Sequence, residues 1–168
     1  MEKALKCIPK KAEEKFVETL LRAKRVFVYG VGRSGLVAQI FSVRLVQLGI
    51  DTHFVGDATT PILRADDFVL VVSGTGSTMS AIQTANIAGR VGASVAAITT
   101  SKSSKLAHAA GQVITIKVEE DGKRARYAPL GTIFEIGAMV FLDTVITDLM
   151  ARLGQDESAM KSRHAIWV

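Results

Sequence analysis

Five short apolar runs punctuate the chain at Val26–Tyr29, Thr52–Val55, Phe68–Val72, Ser94–Ile98 and Val113–Val118, and no hairpin turn joins any two of them. Most are separated by helix-forming stretches. Leu36 to Leu48 is stopped by Gly49, Thr78 to Val91 by Gly92 and Ser103 to Ala110 by Gly111, while a loop containing Pro61 follows the second run. Parallel strands need crossovers rather than hairpins, and strands covered on both faces read as continuous apolar runs. The pattern predicts an α/β chain: a three-layer αβα sandwich on a five-stranded parallel doubly wound sheet, in the flavodoxin-like order 2-1-3-4-5.

The flanks extend this frame. Ala12, Phe16, Val17, Leu20 and Leu21 recur at helical spacing and predict an amphipathic first helix from about Lys10 to Ala23. After the fifth strand come a charged loop from Glu119 to Arg126, a long helix Thr132–Leu153 and a shorter one around Asp156–Arg163. With 168 residues, 48% of them hydrophobic, one core and a single domain over 1–168 are expected. The most apolar stretch, Ile133–Met150, is interrupted by Glu135, Asp143 and Asp148, so it reads as a buried helix rather than a bilayer span. A lone Cys7 and a first twenty residues charged throughout, with no apolar signal core, point to the reducing cytoplasm.

A net charge of +5 raises nucleic acid as a partner. The distribution argues against it: Lys10, Lys11, Lys15 and Arg22 alternate with Glu13, Glu14 and Glu18, and aromatic residues make up only 6% of the chain. That is the pattern of a solvated helix face, and the excess charge suits an anionic metabolite equally well.

Two glycine-rich turns carry the chemical signal. Gly30-Val-Gly32-Arg33-Ser34-Gly35 lies between a strand and a helix, the context that suits a dinucleotide, a sugar or plain close packing, and Asp57 stands near where a ribose-binding acid would be. Ser73-Gly74-Thr75-Gly76-Ser77-Thr78 precedes the next helix and offers four hydroxyls and two glycines within six residues. Thr78 or Ser77 as a helix N-cap would need only one of those hydroxyls; the rest, with free backbone N–H groups at a helix start, describe a phosphate cradle. In sheet order 2-1-3-4-5 both turns leave the carboxyl ends of strands one and three, where such folds bind ligands. A dinucleotide enzyme needs a further substrate domain that this length does not supply, so a small phosphorylated ligand fits better.

Glu135 has two readings. With Thr132 it forms the pattern of a capping box, Thr132 as N-cap and Glu135 three residues on. Among Ile133, Phe134, Ile136 and Met139, however, a partly desolvated carboxylate would suit proton transfer to and from carbon. His164, beside the C-terminus, is either a residue of a fraying end or a proton donor for a site, its own or a neighbouring subunit's. His53 and His108 read as structural, and no Cys/His cluster at metal-ligand spacing is present, so no metal is expected. Arg33, inside the first turn, would face the substrate, and Arg44 reads as a surface or subunit-interface cation.

Taken in order, Tyr29-Gly-Val-Gly-Arg-Ser-Gly35, Val43-Arg-Leu-Val-Gln-Leu-Gly49, Val55-Gly-Asp-Ala-Thr-Thr-Pro61, Val72-Ser-Gly-Thr-Gly-Ser-Thr78, Ala128-Pro-Leu-Gly-Thr-Ile-Phe-Glu135 and Arg163-His-Ala165 resemble the 6-phospho-3-hexuloisomerase family of sugar isomerase (SIS) domains. The resemblance implies interconversion of D-arabino-3-hexulose 6-phosphate and D-fructose 6-phosphate, the second step of formaldehyde fixation by the ribulose monophosphate route, with no cofactor; the alternatives are another SIS aldose–ketose isomerase, such as one acting on arabinose 5-phosphate, and a non-catalytic sugar-phosphate-binding protein. It implies that Ser73, Thr75, Ser77 and Thr78 hold the phosphate with backbone help from Gly74 and Gly76. Gly32, Arg33 and Ser34 would border the sugar, Glu135 would be the enolising base and His164 an acid or ring-opening aid. A homotetramer is implied too. The chain departs from the family in carrying Ser77 at a position often charged, and in ending Ile166-Trp167-Val168.

Overall fold

A computed structural model describes residues 8–118 and 124–166. Lys3, Lys6, Cys7, residues 119–123 of the expected charged loop and the last two residues, Trp167 and Val168, lie outside the described residues. The elements run α1 (Lys10–Arg22), β1 (Val26–Gly30), α2 (Arg33–Gln47), β2 (Thr52–Phe54), β3 (Phe68–Val72), α3 (Met79–Val91), β4 (Ser94–Thr99), α4 (Lys105–Ala109), β5 (Gln112–Thr115), α5 (Arg124–Tyr127), α6 (Thr132–Leu153) and α7 (Glu157–Ser162).

All four strand pairings are parallel and the order is β2-β1-β3-β4-β5, as the apolar runs predict. Alternate residues serve opposite faces, so β1, β3 and β4 each feed two cores. Val26, Val28, Phe68, Leu70, Val72 and Ile98 pack under α1, α2 and α6, whereas Phe27, Val69, Val71 and Ala97 pack under α3 and α4. Phe16 of α1 meets Phe68 and Phe141 edge-on, at centroid distances of 5.5 and 5.8 Å. Removing so contacted a ring costs about 3–5 kcal/mol.

Most element ends fall within one or two residues of the sequence expectation, and three differences are larger or bear on the site. The helix expected from Leu36 begins at Arg33, because the turn needs only Val31 and Gly32 (φ 58°, ψ −134°) to reverse the chain. Gly35 then belongs to the first helical turn and abuts β1, where an added Cβ would stand 2.6 Å from the carbonyl oxygen of Gly30. β5 ends at Thr115 rather than Val118, since its register with β4 closes at Thr99–Thr115. The segment expected as a charged loop contains the short helix α5.

At the amino edge of the sheet, Asp67 is fully buried and takes two bonds from Arg25, Nε to Oδ1 at 3.0 Å and Nη2 to Oδ2 at 2.8 Å, and a third from the Arg64 backbone N–H at 2.7 Å. Burial opposes ionisation of Asp67, but those three donors outweigh it and hold the carboxyl below its ordinary range. Among the described residues no helix is long and apolar enough to cross a membrane.

Candidate active site

The two glycine-rich turns meet at the carboxyl ends of β1 and β3, as the topology requires. Ser73 is buried, and its hydroxyl lies 3.4 Å from that of Thr78. The loop carbonyls are spent on the protein interior: Gly74 accepts from the Thr99 and Thr100 hydroxyls at 3.1 and 2.8 Å and from the Thr100 N–H at 3.0 Å, and Gly76 accepts from Leu106 N at 3.0 Å. With its carbonyls turned inward, the loop leaves the N–H groups of Gly74, Thr75 and Thr78 with no protein acceptor among the described residues. Thr78 occupies the N-cap position of α3 in extended conformation without a side-chain cap bond, so its hydroxyl is not consumed by the helix. Ser77 Oγ donates to Thr75 Oγ1 at 2.9 Å. Free donors at the start of a helix are the elements of an anion site.

The wall opposite this loop is the start of α6. Gly74 lets the Phe134 ring lie on the loop; a Cβ there would approach the ring to 3.1 Å. Phe134 thereby brings its neighbour Glu135 into a cavity of about 190 Å³ that Ser34, Ser73, Thr75 and Thr78 also line. A wider cavity of about 540 Å³ adjoins it, sharing Gly74, Thr75, Gly131 and Phe134, with Thr100, Val118 and Leu130 on its far side. Ser34 sits in the first turn of α2, half-buried, and Gly32 is exposed just before it.

Glu135 is 8% exposed. The capping box does not form: the N-cap is Gly131, the Thr132 hydroxyl donates to Pro129 O at 2.7 Å, and the Glu135 side chain turns instead to Arg33. Arg33 Nε donates to Glu135 Oε2 at 2.5 Å. Arg33, expected to face the substrate, occupies the first position of α2, beside α6, where it pairs with the carboxylate and lines neither cavity at the loop. Sequence reasoning missed this pair, and it missed Thr99 and Thr100, whose signal was their place at the end of a strand next to the topological switch point.

His164 is exposed, with Nδ1 3.0 Å from its own neighbour's carbonyl at Ala165. Arg163 beside it donates to Gln47 O at 3.2 Å, at the last residue of α2. A helix of 15 residues rises about 22 Å, so within one chain His164 stands at the opposite end of α2 from Ser34 and Glu135. Arg44 is exposed in the last turn of α2 and donates to Gln47 Oε1 at 3.1 Å.

The SIS domain profile matches residues 19–141. The 3-hexulose-6-phosphate isomerase of Methanocaldococcus jannaschii is 37% identical over 151 residues, covering 90% of this chain and 81% of that protein. The 3-hexulose-6-phosphate isomerase of Bacillus subtilis is 35% identical, covering 90% and 84%. A Methanococcus jannaschii protein whose crystal structure infers a 3-hexulose-6-phosphate isomerase function superposes with a TM-score of 0.88 at 34% identity, over 95% of this chain and 87% of that one. The chain belongs to the SIS domain family, among the 3-hexulose-6-phosphate isomerases.

Proposed function

We propose that this chain interconverts D-arabino-3-hexulose 6-phosphate and D-fructose 6-phosphate through a cis-enediol, with Glu135 as the base. The observation that carries the reading is a buried carboxylate in the wall of the cavity that the Ser73–Thr78 loop also lines. From the 3-ketose, Glu135 takes the proton on C2, the electron pair forms the C2–C3 double bond, and the C3 carbonyl oxygen takes up a proton from water to become an enediol hydroxyl. The carboxyl then returns its proton at C3 while the hydroxyl proton on O2 passes to water, replacing the one taken up at O3, so the carbonyl ends at C2. One carboxylate can serve both carbons because they are adjacent, and no cofactor enters the balance. The phosphate does not react; held by Ser73, Thr75, Ser77, Thr78 and the loop N–H groups, it orients C2 and C3 against the base. Ser34, with the glycine backbone at Gly32, borders the sugar.

The working unit is a homo-oligomer, a tetramer by resemblance. Leu36, Ile40 and Val43 form an exposed apolar stripe on α2, beside exposed Ile136 on α6. α2 carries Arg33 and Arg44 and no acidic residue, while Asp143 is exposed on α6 at helical spacing from Ile136. A two-fold axis that lays α2 of one copy on α6 of another would cover the stripe and bring the basic α2 near exposed Asp143. His164, far from its own cavity, serves a neighbouring subunit as acid or ring-opening aid. A cytoplasmic setting fits a phosphorylated substrate.

The test is solvent deuterium exchange into fructose 6-phosphate followed by NMR. Exchange at C3 that falls at least about a hundredfold in Glu135→Gln, with the ligand still bound, is the expected result. Exchange at C1 instead would assign an aldose–ketose isomerase, and C3 exchange undiminished in the variant would remove Glu135 from the chemistry.

A further inference from the structure

The two oxygens of the Glu135 carboxylate have different surroundings. Oε2 takes the bond from Arg33 Nε, whereas Oε1 lies against Gly131, where an added Cβ would stand 3.0 Å from it. Gly131 borders both cavities at the phosphate loop, while Arg33 borders neither and lines the apolar groove between α2 and α6, with Leu36, Ile40, Ile136 and Met139. The carboxylate thus spans from the groove to the cavity, with one oxygen tied on the groove side.

Arg33 stands at the first position of α2, whose first turn contains no acidic residue. A cation there opposes the positive end of the helix dipole, so the position is unfavourable unless an anion is supplied from elsewhere. Glu135, 102 residues later in the chain, supplies it. Gly32 and Gly35 hold Arg33 in place by fixing where α2 starts, and α2 packs directly against α6. A glutamate side chain has three freely rotating bonds, and among Phe134 and Ile136 no other described side chain bonds to it.

Resting on the proposed base, we infer that Arg33 is the positioning residue of Glu135: it fixes the carboxylate rotamer through Oε2 so that Oε1 is the oxygen that exchanges protons with C2 and C3 of the substrate. The guanidinium acts through Glu135 and does not touch the phosphate. A base displaced by an ångström loses alignment with the C–H bond while the phosphate loop goes on binding, so the loss falls on turnover rather than on affinity.

The experiment compares Arg33→Gln and Arg33→Lys in the full-length protein, measuring kcat, KM, C3 exchange and fructose 6-phosphate affinity by calorimetry, in the native and Glu135→Gln backgrounds. Arg33→Gln is expected to lower kcat and C3 exchange by about 10–100-fold with KM and affinity within about twofold. Arg33→Lys, which keeps the charge but loses the fixed fork, should recover part of the rate. In the Glu135→Gln background, adding Arg33→Gln should change neither affinity nor residual exchange, as two residues acting as one unit require. Weakened affinity in both backgrounds with kcat intact would overturn the inference and return Arg33 to the phosphate. Full turnover in Arg33→Gln, with Glu135→Gln inactive, would overturn it and leave the base standing; undiminished exchange in Glu135→Gln would remove the base itself.

Discussion

Gly76 packs against Ser104 across the back of the phosphate loop: a Cβ on Gly76 would stand 2.5 Å from the Ser104 Cβ and 2.9 Å from the Thr99 hydroxyl oxygen. Ser104 is itself engaged, because its hydroxyl accepts from Ala107 N at 3.2 Å and caps α4. Gly76 also has a φ of 60°, which a side chain adopts only with strain. The loop therefore takes its shape from a glycine wedged against the cap of a neighbouring helix.

Gly76→Ala should push the loop outward, where its N–H groups lose their convergence. The expected outcome is a raised KM for both sugar phosphates and a stability loss of about 1–3 kcal/mol, with a smaller effect on kcat. Steady-state kinetics with denaturant unfolding of the same variant checks both halves.

The α2–α6 face makes a second prediction. Ile40→Glu places a charge in the centre of the exposed stripe and should dissociate the oligomer without unfolding the subunit, since Ile40 is 46% exposed in the single chain. Light scattering after size exclusion reads the mass, and far-ultraviolet circular dichroism the fold. A variant that stays assembled would place the interface elsewhere.

Asp67 ties the fold to pH. Its carboxyl is held below the ordinary aspartate range in the folded chain, so it binds a proton less readily there than in the unfolded chain. The resulting stability is fully present above about pH 4, the unfolded value, and is withdrawn as the pH falls through the lower folded value. Asp67→Asn removes that dependence and leaves Arg25 facing an amide. A loss of about 3–5 kcal/mol near neutrality is expected, together with a flatter decline in acid. Urea unfolding at several pH values measures it. The pair lies at the opposite edge of the sheet from the phosphate loop, so kcat below the melting temperature should be unaffected.

What could be read without coordinates follows a physical division. Phe68–Val72 and Thr132–Leu153 match the structure residue for residue, because a strand buried on both faces and a helix buried along its length write burial directly into consecutive apolar residues. The place of the Ser73–Thr78 loop between β3 and α3 was legible for a related reason: hydroxyls and glycines between a strand and a helix are a local arrangement. Thr132 as a cap was not legible. The pattern Thr132…Glu135 has the spacing of a capping box, but an arginine from the second helix competes for the carboxylate, and a charged partner outbids a backbone N–H. Nor could periodicity place His164, since its distance from the cavity is decided by where Arg163 anchors on the end of α2.

Gly131 separates activity from stability most sharply. Its backbone has φ −86° and ψ 5°, a conformation open to alanine, so the residue is not required by the turn. Its hydrogen faces Glu135 Oε1, and a methyl group at 3.0 Å would force the carboxylate to give by a few tenths of an ångström. Because Oε2 is tied to Arg33, the displacement falls on Oε1, the oxygen assigned to proton transfer. Gly131→Ala also reduces the freedom of the unfolded chain, which contributes about 0.4–1 kcal/mol of stability where the native backbone is compatible. The variant should therefore be at least as stable as the parent in urea, bind fructose 6-phosphate about equally, and yet turn over about tenfold or more slowly. A stable variant with undiminished kcat would mean that Oε1 has room to move and that its position against Gly131 does not set the rate; a destabilised one would mean that the ion pair, rather than the carboxylate rotamer, absorbed the methyl group.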